Sequence, residues 1–134
     1  MASELQFGIK HIRDGIPQQV VTGIDMAVIG IVGTADSADA QIFPLDTPVD
    51  MYSNDTAKLT ALGASGTLVD AVKLISAQMV GLGVSAARMV IVRVAYNATA
   101  QTVITNIIGN EASKTGMWAL LDAPEVLGVT PRLI

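Results

Sequence analysis

An α/β fold, with a mostly parallel or mixed sheet flanked by helices and an extended N-terminal β-arm, follows from three observations. Two apolar runs rich in β-branched residues, Met26–Val32 and Arg88–Ala95, have the length and composition of buried strands. Between and after them lie stretches whose apolar residues recur at helical spacing. The apolar content is aliphatic: 51% of the 134 residues are hydrophobic and only 4% aromatic, a balance that suits aliphatic strands sandwiched between helices. With 15% charged residues, the chain has ample material for one buried core, and a disordered chain is excluded.

Residues 3–13 alternate, with Leu5, Phe7 and Ile9 on one face of a strand and Gln6, Gly8 and Lys10 on the other. Ile12 breaks the parity, which predicts a bulge or twist. Asp14-Gly15 and Pro17 then interrupt the chain, so this strand reads as an arm set apart from the rest of the chain. Val20–Thr22 reads as a short strand, and Met26–Val32 as a strand buried on both faces. A long loop rich in small and turn-forming residues comes next, with room for a helical turn at Ser37–Ala40. Val49–Tyr52 is a further short strand. Ser53 or Asn54 is placed to cap a helix over Thr56–Leu62 that Gly63 ends. Ser65 or Thr67 caps a better one carrying Leu68, Val72, Ile75 and Met79, which Gly81 and Gly83 stop. After the Arg88–Ala95 strand, Ala98–Ile108 reads as a helix with Val103, Ile104, Ile107 and Ile108 as its apolar stripe and Gly109 at C′. Thr115 caps a short helix over Met117–Asp122, Pro124 opens another turn, and Gly128 closes it. Pro131–Ile134 reads as the opening of a strand, and a chain that stops there is expected to be a fragment. The core is expected at Met26–Val32, Val90–Val94, Leu68, Val72 and Ile75. The organisation predicted is an arm and linker over 1–22 and an α/β core portion over 23–134.

Several function classes are excluded or weakened at once. Net charge is −4, from 12 acidic and 8 basic residues with no basic cluster, so no electrostatic footprint for nucleic acid exists. With no cysteine, disulfides and thiolate metal sites are excluded. Met26–Ala35 is the most apolar stretch, and it is far shorter than the roughly 20 residues of a spanning helix. The N-terminus lacks the pattern of a signal peptide.

Candidate chemistry is sparse. Gly30–Ala35 follows a strand and can cradle a phosphate on backbone N–H groups, which makes a nucleotide-binding α/β domain the alternative reading. The stretch has neither the Gly-Lys-Ser/Thr ending of a P-loop nor the GxGxxG spacing, and close packing of the strand is favoured. Asp36, Asp39, Asp46 and Asp50 crowd one window, yet their spacing is not that of a calcium loop, and solvated loop aspartates are favoured. His11 is the only histidine, so no triad or zinc site is recognisable, and a surface position between Lys10 and Arg13 is favoured over a base. Arg93 interrupts an apolar strand; pairing inside the subunit is favoured over an intersubunit ion pair. No cofactor or metal is expected. A terminal β-arm needs partners for its backbone groups, either in its own subunit or at a neighbour's sheet edge.

Taken in order, FGIKHIRDGIPQQV, MAVIGIVGTADSADAQIFPLDTPV, VIVRV and TGMWALLDAPEVLGVTPRLI resemble the N-terminal part of contractile-tail sheath proteins, particularly those of temperate myophages. Order and spacing agree from about Phe7 to Ile134. Members of that family continue well past the PRLI step, through a large second portion. The resemblance implies a non-enzymatic structural subunit of the virion tail, made in the host cytoplasm. It would surround the tail tube and contract to drive it through the host envelope. It also implies a homo-oligomeric helical assembly, with tube, baseplate and tail terminator as further partners and no membrane insertion. A sheath-like protein of a non-phage injection machine fits the same motifs. The arm residues Leu5, Phe7, Ile9 and Ile12 are the expected intersubunit contacts.

Overall fold

The computed structural model describes residues 28–134. The arm residues Leu5, Phe7, Ile9 and Ile12, together with His11, the Val20–Thr22 strand, Met26 and Ala27, lie outside the described residues. The elements are β1 (Val28–Thr34), β2 (Pro48–Tyr52), α1 (Thr56–Leu62), α2 (Thr67–Gly81), β3 (Arg88–Val94), α3 (Ala100–Ile108), a 3-10 helix (Gly116–Asp122) and α4 (Ala123–Leu127). The three strands form one sheet in the order β1-β3-β2. β1 runs parallel to β3, from Val28 opposite Arg88 to Thr34 opposite Val94. Such a pair needs a crossover, which α2 supplies. β2 runs antiparallel to β3, so the sheet is mixed.

β3 is the centre, because Met89, Val90, Ile91 and Val92 have no exposed surface. Its alternation feeds two cores, one on each face. Met89 and Ile91 join Leu68, Val69 and Val72 of α2, Leu62 of α1, Met51 of β2 and Phe43 of the loop. Val90 and Val92 join Val28, Ala119 and Leu120 of the 3-10 helix, Ala123 of α4, and Val129. Continuous apolar runs thus arise because both faces are covered. Ile75 is only half-buried. Val49 and Met51 stand opposite Ile91 and Met89, which fixes the β2 register on the α2 face.

Several local expectations change. The N-cap of α1 is Asp55, whose carboxylate accepts from the Lys58 N–H at 3.1 Å, and neither Ser53 nor Asn54 serves. Ser53 instead turns inward, where its Oγ accepts from the Ala87 N–H at 2.9 Å. The N-cap of α2 is Gly66, with no side-chain cap. Ser37–Ala40 forms turns rather than helix, and the loop is anchored by Phe43, which is completely buried. α3 begins at Ala100 rather than Ala98, and none of its residues is buried, so the Val103–Ile108 stripe does not reach a core. The 3-10 helix and α4 already occupy that face of the sheet. α3 is left at its end, held in part by Asn106, whose Nδ2 donates to the Ala95 carbonyl at 2.9 Å. Met117–Asp122 is wound as a 3-10 helix beginning at Gly116. As expected, Leu133 begins strand-like pairing: it bridges Ile29 in parallel, and the Gly30 N–H donates to the Leu133 carbonyl at 2.7 Å.

Glycine lets the layers approach β1 on both faces. A Cβ on Gly30 would sit 3.1 Å from the Pro131 Cβ, and one on Gly33 would sit 2.6 Å from Thr67 Oγ1 and 3.2 Å from Leu68 Cγ. Gly33→Val therefore forces the first turn of α2 off the sheet. The expected loss is about 2–3 kcal/mol of unfolding free energy, read from urea denaturation.

Candidate functional site

Of the residues singled out in the sequence, Gly33, Thr34, Ala35, Asp46 and Arg93 lie at the end of the sheet where β1 and β3 finish, whereas Asp50 lies toward the other end, beside Arg88. Thr34 ends β1 and is buried. Its N–H donates to Thr67 Oγ1 at 3.0 Å, and the two threonine hydroxyls lie 3.3 Å apart. Gly66, at φ 119°, has room for no side chain: a Cβ there would fall 2.3 Å from the Thr34 carbonyl. The helix terminus thus closes directly onto the strand end. The Gly30–Ala35 turn holds α2 where a phosphate cradle would leave an opening. Close packing accounts for Gly33.

The four aspartates part company. Asp36 is exposed. Asp39 builds its own turn, with Oδ1 accepting from the Gln41 N–H at 2.9 Å. Asp46 and Asp50 are not the solvated loop residues expected. Asp46 has φ 51°, its N–H donates to the Arg93 carbonyl at 2.8 Å, and its Oδ1 accepts from the Gly116 N–H at 2.8 Å. It ties the long loop to the 3-10 helix across a long sequence separation. Asp50 takes a two-pronged grip from Arg88, with Nε and Nη2 at 3.1 and 2.9 Å. Tyr52 lies alongside, its ring centroid 5.8 Å from the Arg88 guanidinium carbon. Among the described residues no group of three or more His, Asp or Glu side chains is arranged to hold a metal ion. No described helix is long and apolar enough to cross a membrane. Lys114, at the surface, is held above its ordinary pKa by its hydrogen bond and ion pair with Asp122.

The ion pairing expected for Arg93 inside the subunit is not found among the described residues: its Nη1 donates to the Ala35 carbonyl at 3.2 Å, and its buried Nε has no partner there. It sits on the α2 face of β3, one step beyond Ile91, where that core ends. A shallow recess there is lined by Ala35, Asp36, Leu45, Arg93 and Tyr96.

Among the described residues no catalytic constellation is assembled, so relatives carry the assignment. A major tail sheath protein of Serratia phage KSP20 is 39% identical over 123 residues, covering 87% of this chain and 30% of the relative's length. A tail sheath protein of Escherichia phage P2 is 32% identical over 142 aligned residues, covering 98% of this chain and 34% of the relative. The chain belongs to the phage tail sheath family. It spans about a third of the length of these curated relatives. No family model and no solved structure matches it.

For a sheath-family chain, the edges of the sheet matter more than its pockets. The outer edge of β2 is used in part: Pro48 has no N–H to offer, Lys58 Nζ donates to the Asp50 carbonyl, and the Asp55 N–H donates to the Tyr52 carbonyl at 3.0 Å. The outer edge of β1 is used only in part. The Val28 carbonyl and Gly30 N–H bond the Arg132–Leu133 segment, and the Thr34 N–H is taken by Thr67. By the same alternation Val32 faces outward, and among the described residues no further segment bonds it there.

What sequence reasoning missed was chiefly Phe43, Ser53 and Asp46. A lone aromatic inside a polar loop was the available signal for Phe43. Nothing local signals the partners of the other two. Arg93→Met is expected to leave the urea midpoint unchanged or raise it, since a half-satisfied guanidinium is replaced by an apolar chain of similar length. A loss above about 2 kcal/mol would show an internal partner for the charge. ATP and NAD are expected to leave the melting temperature unchanged; a clear upward shift with either would restore the phosphate-turn reading.

Proposed function

We propose that this chain is the N-terminal portion of a structural sheath subunit of a contractile phage tail, non-enzymatic and without cofactor. In the assembled virion it surrounds the tail tube and shortens to drive the tube through the host envelope. The observation that carries this is identity of 39% to a major tail sheath protein across 87% of the chain. The motif order FGIKHIRDGIPQQV to TPRLI supports the same reading. Its partners are other sheath subunits first, then tube, baseplate and tail terminator, with assembly in the host cytoplasm.

The mechanism needs no bond chemistry. Subunits exchange one set of contacts for another as rigid bodies, and each gains a little free energy in the contracted packing. Strand linkage keeps the mesh connected during that exchange. In this role Leu5, Phe7, Ile9 and Ile12 form the apolar face of an arm that adds to a neighbour's sheet. The rest of the linkage, and the length of chain that carries it, belong to the full subunit.

The arm is tested on the full chain with Phe7→Asp plus Ile9→Asp. Light scattering after gel filtration is expected to show self-association of the parent and a folded monomer for the variant. Equal masses for the two proteins would remove the arm from the interface.

A further inference from the structure

The far end of α2 carries an apolar surface that neither core uses. Val80 is 79% exposed, Leu82 71% and Val84 46%. No charged residue occurs between Lys73 and Arg88. This end is not frayed. The Val84 N–H donates to the Met79 carbonyl at 3.0 Å and the Gly83 N–H to the Val80 carbonyl at 3.1 Å, with Gly83 at φ 71°. That is a Schellman closure, which holds the three side chains in fixed positions on an ordered turn. Three large apolar groups within five residues, fixed and without a charge beside them, have the character of a contact surface rather than scattered surface aliphatics.

We propose that residues 20–27 of the same chain, carrying Val20, Val21, Ile24 and Met26, cover this end of α2. The position of the chain argues for that occupant. β1 and β3 are parallel, with Val28 opposite Arg88. The residues before Val28 therefore approach the sheet at the end where Val80–Ala87 delivers the chain into β3. At about 3.3 Å per extended residue, the stretch from Val20 to Ala27 reaches roughly 26 Å, enough to cross the end of the helix. The stretch VVTGIDMA matches the surface chemically, with Asp25 as its only charge. Tethering at Val28 also gives it an effective concentration in the millimolar range, above that of a second copy in dilute solution.

This moves the start of the folded unit from residue 23 to about residue 20 and leaves Leu5–Ile12 available as an arm. It does not depend on the sheath role, and either can fail without the other.

The chain contains no cysteine, so introduced pairs report cleanly. In the full chain, Leu82→Cys is combined in turn with Val20→Cys, Val21→Cys and Ile24→Cys, and Leu74→Cys serves as the control on another side of α2. Mild oxidation is expected to close at least one Leu82 pair within the chain, with both thiols consumed at monomer mass. The Leu74 pairs are expected to stay open. Disulfides only between chains, equal closure at both helix positions, or no closure at all would overturn the proposal. A double-mutant cycle gives the second readout. Leu82→Asp and Ile24→Asp are each expected to lower the melting temperature, and the double variant to fall little further than either. Additive losses, or no loss from either single change, would also overturn it.

Discussion

The arrangement depends on how closely two layers can approach one strand. β1 is covered by α2 on one face and by the 3-10 helix and the Pro131 segment on the other. At each contact the strand presents a glycine: Gly33 toward Thr67 and Leu68, Gly30 toward Leu120 and Pro131. With the side chains gone, the backbone itself becomes the packing surface. This brings the start of α2 near enough for Thr67 to accept the Thr34 N–H, so the helix terminus satisfies the strand terminus. It also lets the Arg132–Leu133 segment reach the Val28 carbonyl and Gly30 N–H. A bulkier residue at either position would separate the layers and leave those backbone groups unpaired, a cost beyond the packing itself.

The same geometry makes the sheet asymmetric. β3 is saturated on both edges and both faces. On the β2 side Pro48, Lys58 and the Asp55 turn obstruct part of the edge. β1 faces the other way with its edge partly occupied by a parallel segment that bridges at Leu133.

The fold class and most elements were legible because each rests on a local pattern. β1 and β3 are apolar runs rich in β-branched residues; α2 repeats Leu68, Val72 and Ile75; Gly63, Gly83 and Gly128 mark helix ends through backbone conformations that other residues resist. The misreadings came where a residue answers to something distant. Thr67 and Ser53 have the right chemistry for caps, yet Thr67 is engaged by Thr34 and Ser53 by Ala87, while Asp55 takes the cap of α1. Asp46 is one of four loop acids by sequence, and only the fold brings the Gly116 N–H to it. α3 has a good apolar stripe but no vacant core to meet, so its period was read correctly and its burial was not. The candidate site was the least legible part. No arrangement of catalytic groups gave it away, and family membership rested on the order of several individually weak segments.

The polar groups themselves explain why chemistry was hard to find. Asp39, Asp46, Asp50, Asp55 and Arg88 are each engaged in a turn, a tie, an ion pair or a cap. These groups hold loops against a sheet that is packed on both faces. A dense two-sided core resists gradual deformation and is better suited to moving as a unit. On the proposed sheath role, that places the free energy of contraction between subunits rather than within them. A rigid core transmits displacement, while the difference between two packings lies in surfaces that exchange partners. Arg93 fits that division: it is a cation at the end of a core, half-satisfied among the described residues, at a recess open to the outside. A half-satisfied cation at a core edge costs some stability and gains from any further partner that reaches it.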